Sequence, residues 1–433
     1  MQKVEKIKKE YSEKGNHSLL TVLFFYNSIV VLWPILFNSV SFLKSKSIYV
    51  ALCVLIIAFV YAIMQRNLRL DKKCVVFPML FIIWGLFSYA LNEDTRSQMQ
   101  TPMYWSLTQT LPAFMLIFSA KDYKSIFKNF LKVSYYMIPL YVIAINLADY
   151  YKIEVGYMVL SYALLPFVLI TMQDMFKKVT RKNLIFFLIG LVTIVLKGAR
   201  GALLCIIVAV ILNTLFSVNG KKKYFSFILL TAFAIFLATP MYNDALLELS
   251  SFLQRHDMSS RTITKLANDE IQDDNGRSMY ADAAIEWIKK APVIGYGLCG
   301  DRVLIGRSLN ANPSYPHNLL LELMMQLGTL GAVFFFWFFF KTLYVLIKVR
   351  DQYLKMIIMS TIPVVFVKLF LSSTYVAEIP FFMLLAIAFS MTRKRLKEIN
   401  GNMSESKNAA TQGDEVKTEE KFFDKIKEDL END

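Results

Sequence analysis

Histidine and cysteine are scarce in this chain, at three and four among 433 residues. His17, His256 and His317 lack any close ligand spacing, and no CxxC pair exists, so no metal site is expected. Cys53, Cys74 and Cys205 lie in or beside apolar runs, whereas Cys299 stands alone in a polar stretch, which argues against a disulfide framework. Glycine and proline are also few, and the chain is rich in Phe, Lys, Ile and Asn, a bias that points to an AT-rich genome. Charge is nearly absent from the middle of the apolar runs, Lys368 and Glu322 being the main exceptions. Transport paths usually show such charges or two related halves, so this absence weighs against a transporter or flippase, which stays the alternative from another class.

What the chain has is apolar length. Hydrophobic residues make up 55%, with 35 Phe, 22 Tyr and 20 Met, more than one soluble core can hide. Runs long enough to cross about 30 Å of hydrocarbon as helix recur throughout. The prediction is an all-α polytopic membrane protein with about 12 transmembrane helices. Nine spans fall near 19–42, 48–64, 75–91, 103–120, 133–151, 157–175, 184–196, 202–218 and 225–239. Three more fall near 318–347, 354–371 and 376–391, the first longer than a span needs, so tilt or an extension is expected.

Lysine and arginine concentrate in every second connection, as in Arg66 to Lys73, Lys121 to Lys132, Lys177 to Lys182, Lys221 to Lys223 and Lys348 to Lys355. Positive residues are retained on the cytoplasmic side, so both termini are expected there. The net charge of +14 is largely this topology signal, and nucleic acid is not an expected partner. No cleavable signal peptide is expected, because the first apolar run is too long and lacks a cleavage site.

Five regions follow: a cytoplasmic segment 1–18, spans 1–9 over 19–240, an extracytoplasmic loop 241–316, spans 10–12 over 317–392, and a charged tail 393–433. The tail is expected to be largely disordered, with a short helix at Lys421 to Leu430. Within the loop, Tyr280, Ala284, Ile285, Trp287 and Ile288 recur at helical spacing between Ser278 and Lys290, before Pro292. That amphipathic helix either lies on the membrane surface or folds over a cleft.

The outward side collects basic and titratable residues. Arg200 sits between Gly198 and Gly201 in a short outer turn, against the positive-inside pattern, where it either snorkels to headgroups or forks a phosphate. Arg277 opens the loop helix, where helix dipole and backbone donors favour an anion. Its alternative is a salt bridge to Asp273, Asp274 or Asp282. Arg261 and Arg302 are weaker candidates for the same work, which surface pairing also explains. His317, in Pro316-His317-Asn318 at the loop-to-helix junction, is a base available near neutral pH. Two arginines and one histidine suit attack by a hydroxyl on carbon bearing a pyrophosphate, with no divalent cation needed.

Lys197 to Leu204 (KGARGALL) resembles the span-entry motif of the O-antigen ligase and O-antigen polymerase superfamily. Gly276-Arg277 through Trp287, Pro292, Gly295-Tyr296-Gly297 and Pro316-His317-Asn318-Leu319 to Gly328 and Gly331 is similar to that family's loop-to-helix signature. The resemblance spans about Leu184 to Phe340 and implies a type C glycosyltransferase-like fold, with the large loop between helices 9 and 10. It also implies an undecaprenyl-diphosphate-linked glycan donor, used on the outer face of the bacterial cytoplasmic membrane. By the same motifs, Arg200 and Arg277 are implied to hold the lipid diphosphate and His317 to activate the acceptor, with Asn318 a weaker candidate. No cofactor is implied. Partners would be a glycan or lipid acceptor, membrane lipids, and flippase and chain-length regulator proteins. The turn departs from the commoner Gly-Ser-Arg-Gly, and Gly300 to Tyr315 follows no family pattern. A surface-polysaccharide polymerase is preferred narrowly over a ligase acting on lipid A core.

Overall fold

A computed structural model describes residues 14–37, 53–58, 60, 70–153, 157–197, 199–216, 247–248, 251–252, 255, 276–393 and 395–399. The predicted ninth span, Arg261, most of the predicted second span and the tail beyond residue 399 lie outside the described residues. Everything regular among the described residues is helix.

Chain order gives α1 (Lys14–Leu36), a 3-10 turn (Lys72–Val75) running into α2 (Val76–Leu91), α3 (Arg96–Trp105), a π-turn (Ser106–Thr110) and α4 (Leu111–Ser119). Next come α5 (Tyr123–Tyr150), α6 (Tyr157–Lys177), α7 (Arg181–Lys197) and α8 (Arg200–Phe216). The loop contributes α9 (Arg277–Lys290) and α10 (Gly300–Ser308), and the last part holds α11 (Leu319–Leu327), α12 (Thr329–Lys348), α13 (Gln352–Phe366) and α14 (Ile379–Ser390). Five helices among the described residues are long and apolar enough to cross a membrane, or six if α1, bent by 53° near its middle, counts as one span.

Burial separates central helices from peripheral ones. About 72% of the apolar window in Gln352–Phe370 and 67% of that in Met158–Lys177 is buried, against 28% for Lys72–Leu91. On α2 the outward stripe Val76, Met79, Leu80, Ile83, Leu86 and Phe87 repeats at helical spacing and is more than half exposed. An apolar stripe of that extent marks a surface that faces lipid or another protein. The buried face of α2 includes the small residues Gly85 and Ser88, and there Leu298 N donates to Ser88 Oγ at 3.0 Å.

Contacts between residues distant in sequence sort the connections into two ends. At one end Lys197 pairs with Asp149 at 2.8 Å, Arg307 with Asp94 at 2.7 Å, and Asn92 Nδ2 donates to the Tyr296 carbonyl at 3.0 Å. At the other, Lys177 Nζ donates to Tyr353 Oη at 2.6 Å, Asp71 N to Ser119 Oγ at 2.9 Å, and Arg395 to the carbonyls of Phe118 and Ala120.

The run expected as one long tenth span is two helices. Gly328, at φ 62°, ψ −145°, breaks it between α11 and α12. The cause is a tight docking of the loop. Tyr296 N and Gly297 N donate to the carbonyls of Met325 and Gln326, at 2.7 and 3.1 Å, while Thr329 N reaches the Pro292 carbonyl at 2.8 Å. A Cβ on Gly328 would lie 2.3 Å from backbone atoms of Val293, and one on Gly295 would lie 2.5 Å from Gly328 N. Both glycines also have positive φ, so neither position tolerates a side chain. The scattered glycines of the loop-to-helix signature are therefore two sides of one backbone junction.

Candidate functional site

Helix α9 begins at Arg277, one residue before the apolar periodicity starts, with Gly276 as its N-cap in a left-handed conformation. Its apolar stripe faces protein: Ala284 packs with Ile305 and Met325, and Tyr280, Trp287 and Ile288 close around them. The helix thus folds over α10 and α11, and Tyr280 reaches His317, ring centroids 5.4 Å apart. The first residue of α9 is Arg277, which forms no ion pair with any described residue.

His317 is held between Tyr280 and Tyr315, whose ring lies 4.3 Å away. Its backbone has φ 53°, a left-handed conformation that costs a non-glycine residue roughly 1–2 kcal/mol. The neighbours enforce it. Asn318 Oδ1 accepts from Leu320 N and Leu321 N at 3.0 and 3.2 Å, fixing the start of α11 as an N-cap. On the other side, Ser314 N donates to the Arg302 carbonyl at 3.2 Å. Asn318 therefore serves the helix, and its side chain is engaged there.

Arg302 is 7% exposed, and its guanidinium sits in a buried polar network. Its Nη2 donates to Thr374 Oγ1 at 3.0 Å, and that hydroxyl donates to Glu322. Gln326 Nε2 donates to Asp301 Oδ1 at 2.8 Å, while Tyr375 Oη donates to Gln326 Oε1 at 2.7 Å. Burial pushes the Asp301 carboxyl upward, opposed by Arg302. The network fastens α10, α11 and the 374–375 turn to one another; the sequence had suggested surface pairing or phosphate binding for Arg302.

One cavity of about 490 Å³ opens at this end of the helices. Arg277, Tyr315, His317, Lys368, Ser372, Ser373 and Glu378 line its polar part. Phe24, Val31, Met158, Val159, Ala163, Pro166, Ile379 and Pro380, from α1, α6 and α14, line the apolar part. A smaller recess, sharing Phe24, Pro166 and Pro380, continues the apolar wall toward Phe130 and Met383. The volume is within the roughly 300–1,000 Å³ of small-molecule sites.

Two of the three residues expected to act together, Arg277 and His317, line this cavity. Arg200 does not, but it opens α8 beside a cavity wall: a Cβ on Gly201 would lie 2.0 Å from the hydroxyl of Tyr162, which lines the cavity. Burial, and then the positive charge of Arg277, lower the His317 pKa to about 4. The imidazole is thus neutral at pH 7, with Nδ1 buried and unbonded among the described residues. Burial raises Tyr315 to about 12, so its phenol stays protonated. Among the described residues no three His, Cys, Asp or Glu side chains come together as metal ligands.

Sequence reasoning gave no role to Lys368, Glu378, Ser373 or Tyr162. Lys368 Nζ pairs with Glu378 Oε1, which also accepts from Ser373 Oγ at 2.6 Å. The ammonium also lies 5.1 Å from the Tyr162 ring centroid. A charge inside an apolar run was the available signal, and Lys368 carried it.

Residues 185–336 match the family model for O-antigen ligase. Over that segment, about a third of the chain, the sequence is similar to the O-antigen ligase family. The segment holds Arg200, Arg277, Arg302 and His317, and ends before Lys368 and Glu378. No curated protein and no solved structure matches the chain.

Proposed function

We propose that this chain is a member of the O-antigen ligase and polymerase superfamily, and that it transfers or polymerises a glycan carried on undecaprenyl diphosphate at the outer face of the bacterial cytoplasmic membrane. The observation that carries the reading is one cavity with Arg277 and His317 at its polar end and an apolar wall leading away from them. Such a cavity suits a charged headgroup joined to a lipid chain. The outward orientation rests on the lysine and arginine pattern.

In this reading neutral His317 accepts the proton of the acceptor hydroxyl, and the hydroxyl oxygen bonds to the sugar carbon. The bond from that carbon to the diphosphate breaks, and its electron pair leaves with the diphosphate. Arg277 and Arg200 stabilise the negative charge that develops there, the work a metal ion performs in other sites. Polymerase and ligase share this donor half, and polymerase remains the preferred reading.

The test is transfer of a lipid-linked glycan by full-length protein in nanodiscs. His317→Ala abolishes transfer while expression and insertion persist, whereas wild-type transfer in that variant removes His317 from the chemistry. Glycan analysis of a deletion strain then separates the products. Single repeats on the normal acceptor indicate a lost polymerase; long unattached lipid-linked chains indicate a lost ligase.

A further inference from the structure

Lys368 and Glu378 are ten residues apart, bracket a serine-containing turn, and both line the cavity that holds Arg277 and His317. A buried ion pair contributes little net stability because desolvation offsets the attraction. A lysine and a glutamate among apolar helices are therefore poorly explained as fasteners, and polar groups in such positions default to function. Glu378 lies at the N-terminus of α14 but caps no amide of that helix; its side chain turns instead to Lys368 and Ser373. Both of those contacts fall on Oε1, and Oε2 accepts from no described residue.

The charge balance of the proposed reaction leaves a place for this pair. The intact donor is a diphosphate diester; when its bond to the sugar carbon breaks, the departing diphosphate gains one further unit of negative charge. Two arginines match the donor, and a third cation would match the product. The cavity offers one, Lys368, already paired with a carboxylate inside the site.

We infer that Lys368 is a third diphosphate-binding cation, held by Glu378 in the empty site and transferred to the diphosphate when the lipid carrier binds. This rests on the reading of the cavity as a lipid-diphosphate site. The exchange needs no oxidant or added ion: the ammonium leaves one anion for another, and no covalent bond changes. Glu378 thus competes with the ligand for Lys368.

Competition gives the two variants opposite signs. The probe is undecaprenyl diphosphate binding to full-length protein in nanodiscs, with the monophosphate and the uncharged polyprenol as comparisons. Lys368→Met weakens diphosphate binding about 10- to 100-fold, the range for losing one charge-assisted contact, and weakens the monophosphate less. Lys368→Arg restores most of it. Glu378→Gln, which frees the ammonium, strengthens diphosphate binding, and the double variant behaves as Lys368→Met.

A merely structural ion pair predicts that Glu378→Gln either weakens binding or leaves it unchanged, and either result overturns the inference. Should Lys368→Met fail to fold, Lys368→Arg and Glu378→Gln still decide it. If the wild-type protein binds the diphosphate no better than the uncharged polyprenol, the reading of the cavity itself fails. If wild-type binds it, Arg277→Gln weakens it and both pair variants bind as wild-type does, only the role of Lys368 and Glu378 fails.

Discussion

Carbethoxylation of His317 by diethyl pyrocarbonate measures its protonation directly, because only the neutral imidazole reacts and the site of modification is read by peptide mass spectrometry. The cavity gives the expected profile. With a pKa lowered from 6.5 to about 4, roughly nine-tenths of His317 is neutral at pH 5, whereas an ordinary histidine is roughly 3% neutral there, about a thirtyfold difference in reaction rate. The folded protein in nanodiscs should therefore react at an almost constant rate from pH 7.5 to 5, and at half that rate near pH 4. The denatured chain should reach its half-point near 6.5. Burial is the larger cause and Arg277 the second, so Arg277→Gln moves the folded half-point upward only part of the way. The linkage has a definite sign. The folded pKa is depressed, so the unfolded chain binds the extra proton first, and stability is lost as pH falls from about 6.5 to about 4. A folded half-point near 6.5, unmoved by Arg277→Gln, would refute both the burial of the imidazole and its proximity to the arginine.

Two further substitutions test the scaffold. Gly328→Ala drives a Cβ to 2.3 Å from Val293 backbone at positive φ, so a loss of about 2–4 kcal/mol is expected from strain and overpacking together. Gly276→Ala, with open space around its Cβ, should cost only about 1 kcal/mol; equal melting temperatures for the two would contradict the interlocked junction. Arg302→Met leaves Asp301 and Glu322 buried without their cation, which should cost about 3–5 kcal/mol in thermal denaturation. A stable Arg302→Met protein that had lost only diphosphate binding would instead make Arg302 a ligand.

Much of the local architecture was legible. Apolar runs set the helices, and Ser278 to Lys290 was readable because apolar residues recur there at helical spacing ahead of Pro292. Arg277 and His317 were readable because charged and titratable residues are rare beside apolar runs. The break at Gly328 was not, since hydropathy continues through it and only docking of the 292–297 segment requires the glycine. Arg302 was misleading for a similar reason: an arginine in a polar loop reads as exposed until Thr374, from the far side of α13, is seen to receive it.

Composition and period thus determined by themselves that this chain is a helical membrane protein, and where its charged residues fall relative to the apolar runs. Those properties depend on neighbours along the chain. Tertiary structure alone decided which residues share a cavity. Tyr162, Arg277, His317, Lys368 and Glu378 come from four separate stretches, and the pKa of His317 depends on a burial and a charge that no local pattern encodes. Electrostatics acts through space, so the pairing of Lys368 with Glu378, and the competition it sets up, appears only once the helices are packed.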